Sequence, residues 1–114
     1  MEMASGAQLS VTDLRRSVRH PVHHAVIGEH ARRGEFPLEI QNISAHGFMA
    51  SGVEGLGRGE RVTIRLPFAG RIEAHLIWTA DGNAGFQFER IIRHDDFSAM
   101  IDAIQPNPRL RRHR

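Results

Sequence analysis

The sequence predicts a mainly β protein, a small six-stranded antiparallel barrel with a C-terminal α-helix packed against one opening. Three observations carry this. Apolar residues alternate with polar ones through most of residues 22–88, glycine-rich turns interrupt the alternation at short intervals, and the period changes once, near residue 97, to that of a helix. At 114 residues the chain fits one domain with one modest core.

Each element follows in order. Residues 1–13 carry Met, Ala, Ser and Gly without apolar period, which predicts a flexible leader or a short irregular helix. The domain proper is expected over 14–104, including an arginine-bearing segment at 14–21, with a basic tail at 105–114. Val22 to Glu29 reads as the first strand, Ala31-Arg32-Arg33-Gly34 as a turn, and Phe36, Leu38 and Ile40 as the buried side of the second strand. Phe48 to Ala50 is a short strand. Residues 52–59 hold four glycines and must be a loop. Val62, Ile64 and Leu66 alternate up to Pro67, and Ala69-Gly70 turns the chain into Ile72, Ala74, Leu76 and Trp78. Asp81-Gly82-Asn83 signals a tight hairpin, with Phe86 and Phe88 on the return. Phe97, Met100, Ile101 and Ile104 then fall at i, i+3, i+4 and i+7, with Asp95 and Asp96 where the helix dipole favours negative charge and Pro106 and Pro108 beyond the end. Trp78 and the phenylalanines share the aliphatic alternation, so they are expected in the core and not as a base-stacking platform.

Composition narrows the function. All 15 basic residues are arginine, and with no lysine, tyrosine or cysteine the pI of about 10.9 overstates how basic the chain is. Net charge is +2; without the four arginines of the tail, residues 1–108 hold 11 arginines against 13 carboxylates, a net −2. That argues against general nucleic-acid binding. No run approaches the roughly 20 apolar residues of a membrane span and no signal peptide opens the chain, so a soluble cytoplasmic protein is expected. Without cysteine there is no disulfide framework and no thiolate zinc site. Eight histidines, among them His20, His23, His24 and His46, show no recognisable ligand spacing, so no metal is expected. Ser44 with His46 is not a nucleophile and base, because residues i and i+2 lack that geometry and no glycine elbow surrounds the serine. No catalytic activity is expected.

Two short motifs remain. The first is Arg15-Arg16-Ser17-Val18-Arg19-His20-Pro21; the second, 23 residues after Arg19, is Asn42-Ile43-Ser44-Ala45-His46-Gly47. Guanidinium groups bind phosphate oxygens and the O6/N7 edge of guanine in bidentate fashion, and their flat faces stack on purines. Arg15 and Arg19 can point to one side of an extended segment, and Pro21 disfavours helix at His20. Asn42 supplies an amide, Ser44 a hydroxyl, and Gly47 lets the backbone turn and approach a ligand. Read singly, the first is a solvated arginine segment and the second is turn chemistry.

Joined in this order and followed by short strands, R-x-x-x-R and N-x-S-x-x-G resemble the two-part signature of the PilZ domain, the bacterial receptor module for cyclic di-GMP, over roughly residues 14–104. The resemblance implies a PilZ-type barrel and a stand-alone, non-catalytic cyclic di-GMP receptor that acts on a downstream effector protein, with no specific nucleic acid and no membrane insertion. By the same resemblance Arg15 and Arg19 hold phosphate and guanine, with Arg16 between them. Asn42 meets a guanine edge or the arginine segment, Ser44 a phosphate or a backbone group, and Gly47 completes the floor. The arginine segment would be loose without ligand and would order around it. Two rivals stand beside this reading. One is a PilZ-like adaptor that binds protein alone, although such members typically lack the arginine pair. The other is a small nucleic-acid-binding barrel using the arginine tail.

Overall fold

A computed structural model describes residues 18–104. The strands are β1 His20–His30, β2 Gly34–Ile43, β3 Gly47–Ser51, β4 Arg61–Leu66, β5 Gly70–Ala80 and β6 Asn83–Phe88, followed by helix α1 His94–Ile104. They form a closed barrel in the order β1-β2-β3-β6-β5-β4, with all neighbours antiparallel. The expected fold class is the one observed. Closure is uneven, because β1 and β4 share the single register pair Glu29 with Thr63.

The alternation explains the core. Val22 and Val26 of β1, Phe36, Leu38 and Ile40 of β2, Val62, Ile64 and Leu66 of β4, and Ile72, Ala74 and Leu76 of β5 are all buried. Phe48 and Phe86, opposite each other on β3 and β6, stack with ring centroids 4.9 Å apart, and Phe88 lies 5.5 Å from Phe48. The helix closes one opening with Phe97, Met100, Ile101 and Ile104, all buried, and the Phe97 ring sits 5.5 Å from that of His20 at the start of β1. Each such apolar side chain taken from water contributes about 1.5–3 kcal/mol. Asp81 and Gly82 both have positive φ, 55° and 83°, the type I′ geometry that joins two strands with two residues.

Two aromatic expectations fail. Trp78 is 41 % exposed. The pairing of β5 with β6 slips between Leu76 and Trp78, so Ile77 is an extra residue that turns Trp78 from the inner to the outer face. Phe68 is 63 % exposed because it lies outside the alternation, in the turn between β4 and β5.

Three of the connections, at 44–46, 67–69 and 89–93, lie at the end covered by α1. The others, at 31–33, 52–60 and 81–82, lie at the far end. Among the described residues no helix is long and apolar enough to cross a membrane.

Candidate functional site

The covered end brings parts of the two motifs together. Arg19 directly precedes β1, and its guanidinium donates to Oδ1 of Asn42, near the end of β2, at 2.9 Å in an exposed position. Register places Pro21 opposite Asn42, so the contact follows from the pairing of β1 with β2. Two bulges flank this point. The β1–β2 pairing shifts between Pro21 and His24, and the β2–β3 pairing shifts between Ile40 and Asn42. Bulges of this kind re-aim side chains, and here Gln41 and Asn42 are both half-exposed. Arg15 and Arg16 lie outside the described residues.

Ser44 and Gly47 sit deeper. Ser44 is 3 % exposed; its hydroxyl accepts the His46 N–H at 3.1 Å, and its own N–H donates to the Gly47 carbonyl at 2.9 Å. These bonds hold the β2–β3 turn and leave His46 exposed. Gly47 is needed for a close approach, since a Cβ there would collide with the Phe86 carbonyl on β6. Two further bonds tie the turn to the end of β6 and the chain beyond it: Phe88 N–H to the His46 carbonyl at 2.8 Å and Ile92 N–H to the Ala45 carbonyl at 3.0 Å.

Pairing extends the site beyond the motifs. Asn42 is opposite Met49, Met49 opposite Gly85, and Gly85 opposite Trp78. The Asn42 amide lies 3.8 Å from the Met49 sulfur. A Cβ at Gly85 would collide with the indole of Trp78, so the ring packs directly against that glycine. A continuous outer row therefore runs from the Arg19–Asn42 corner to an exposed indole three strand spacings away, about 14 Å. Its ends offer a planar cation and amide on one side and an aromatic face on the other. This suits a ligand with anionic or purine groups at more than one point.

Met49, Gly85 and Trp78 were not among the residues expected here. A signal for Trp78 exists in the sequence: counting back from the two-residue Asp81-Gly82 turn puts Trp78 opposite Gly85, which has the opposite parity to the inward Phe86. Alternation counted forward from Ile72 hides it.

Of the clustered histidines, His24 is half-buried and its pKa is lowered by desolvation, whereas His23 is exposed beside Glu39 at 3.3 Å. Among the described residues no group of three or more acidic or imidazole side chains could hold a metal ion.

A family model described as PilZ domain matches residues 13–104. No curated protein matches the chain.

Proposed function

The chain belongs to the PilZ domain family, and from that premise we propose that it is a non-catalytic cytoplasmic receptor for cyclic di-GMP that passes the signal to a downstream effector protein. One observation carries the reading. A residue of the first motif and one of the second, 23 positions apart, meet at 2.9 Å in an exposed corner. A bond of that kind can be exchanged for a ligand without unfolding anything.

In this reading Arg19 takes a phosphate or the O6/N7 edge of a guanine, joined by Arg15 and Arg16 from the preceding segment. Asn42 uses its amide on a base edge or keeps Arg19 aimed. Ser44 and Gly47 act through the turn they hold, giving Asn42 a rigid floor. Trp78 offers its face to the second base, since base–aromatic stacking contributes about 1–3 kcal/mol. The relay is the ordering of the arginine segment before β1 around the ligand, a step coupled to binding.

Calorimetric titration of the full chain tests this. Cyclic di-GMP should bind with a micromolar or better constant, roughly −8 kcal/mol. GMP, with one base and one phosphate, should bind far more weakly. The single tryptophan of the chain adds an optical readout, because a stacked guanine should quench its emission. No heat at millimolar cyclic di-GMP would overturn the receptor reading.

A further inference from the structure

The turn between β4 and β5 holds Phe68 in a conformation that nothing in the fold requires of a phenylalanine. Its φ is +67°, in the left-handed region that bulky side chains avoid. The Ala69 N–H donates to the Pro67 carbonyl at 2.7 Å, an i to i+2 bond across Phe68. With positive φ at the centre this is the rare, strained form of the γ-turn. Glycine would adopt it without strain. The ring is also 63 % exposed, more than any other large apolar side chain among the described residues. Core packing therefore does not account for a phenylalanine here.

Three arginines flank the turn. Arg65 and Arg71 stand directly opposite each other, one pair before Leu66 and Gly70 at the mouth of the turn. Like charges so placed repel. Arg71 is relieved by Glu29 at 2.9 Å, but the Arg65 guanidinium has neither an ion pair nor a hydrogen bond among the described residues. On the other side Arg90 donates to the Ala69 carbonyl at 3.0 Å and clamps the turn. An exposed aromatic ring thus projects, held in one geometry, among three arginines of which one is matched by a carboxylate.

We propose that the Phe68 tip is a docking surface for a protein partner that offers an apolar pocket rimmed by carboxylates. The ring fills the pocket while Arg65 and Arg90 meet the rim. Rigid aromatic anchors flanked by arginine dominate protein interfaces because they bury much area and lose little entropy. A lipid surface demands no such fixed geometry, and this favours a protein over a membrane. The clamp also belongs to the chain that backs the second motif. Arg90 lies between Phe88 and Ile92, which bond to His46 and Ala45. The assignment rests on the receptor reading in one respect, that a receptor without chemistry of its own needs an output surface.

The test is a random-peptide library displayed on phage and panned on the full chain. Selected peptides should place an aromatic or aliphatic residue among Asp and Glu. Their affinity should fall more than roughly tenfold in both Phe68→Gly and Arg65→Glu. Phe68→Gly should also melt at a higher temperature, since the strain goes and no packing is lost. Both variants should keep wild-type affinity for cyclic di-GMP in calorimetry. The two readings therefore fail separately: a wild-type chain that binds cyclic di-GMP but selects no such peptides overturns the docking surface alone, and one that selects them but does not bind cyclic di-GMP overturns the receptor alone. Peptides without acidic character, affinity unchanged in Phe68→Gly, or equal binding to phosphatidylserine-containing vesicles would each overturn the docking surface.

Discussion

The two ends of the barrel satisfy their polar groups in different ways. At the far end they satisfy one another. His30, 8 % exposed, accepts the N–H groups of Arg32 and Arg33 on Nδ1 at 3.2 and 3.1 Å, so its Nε2 carries the proton and donates to Glu60 at 2.6 Å. Glu60 also accepts from the Arg32 guanidinium at 2.7 Å and from Gly57 N–H at 2.8 Å. Arg33 bonds the Glu54 carbonyl and covers the Phe36 ring at 4.5 Å. The β1–β2 turn and the glycine-rich loop are thereby tied together. At the covered end Ser44 and Gly47 are tied in the same way, but Arg19, Asn42, Arg65 and Phe68 face outward. Closed networks hold a fold, whereas outward groups with replaceable partners are available for recognition.

Substitutions can break this comparison, taken here from the largest effect on nucleotide binding to none. Gly47→Ala drives a methyl group toward the Phe86 carbonyl and should destabilise the fold by about 3 kcal/mol, the upper part of the overpacking range. Binding is then lost with the fold, and urea unfolding would show it. A stable Gly47→Ala protein that merely fails to bind would give Gly47 a direct ligand role instead. Arg19→Ala should cost roughly ten- to a hundredfold in cyclic di-GMP affinity. Its stability should stay within about 0.5 kcal/mol of wild type, because the residue is exposed. Lysine at position 19 should not restore affinity, since it lacks the planar fork.

Trp78→Ala is expected to weaken binding by about 1 kcal/mol, the low end for stacking because the indole already rests on Gly85. Unchanged affinity would confine the ligand to the Arg19–Asn42 corner. Glu60→Gln should leave nucleotide affinity alone and change the response to acid. The Glu60 pKa is held below its usual 4.5, chiefly by the Gly57 N–H and then by His30 and Arg32. Its carboxylate therefore stabilises the fold fully above 4.5, and that contribution is lost as pH falls through the lowered value. His24 acts in the same direction at higher pH. Burial lowers its pKa, so stability declines as pH drops below its usual 6.5. Thermal melts across pH should show both limbs in wild type, and only the His24 limb in Glu60→Gln.

Most of the barrel was legible because period-2 alternation and turn residues are local signals. The six strands, the glycine loop, the Asp81-Gly82 hairpin and the helix stripe from Phe97 to Ile104 all follow from them. Bulges were not legible. Insertions at Ile77, near Gln41 and between Pro21 and His24 depend on how neighbouring strands pair, and a single strand's pattern does not contain that. They are what expose Trp78 and shape the ground around Asn42. Phe68 was missed for a related reason. A γ-turn shows only as a backbone angle, and the Arg90 clamp reaches it from 21 positions away. Of the site, the motif residues could be named from sequence, whereas the outer row from Asn42 to Trp78 needed register.

Amide hydrogen exchange on the full chain, with and without cyclic di-GMP, tests the central claim most directly. The account predicts slower exchange at 14–20, 42–49 and 85 on adding nucleotide, with residues 30–34 and 57–61 unchanged. Protection concentrated at the far end, or none at 14–20 and 42–49 with saturating nucleotide bound, would contradict it.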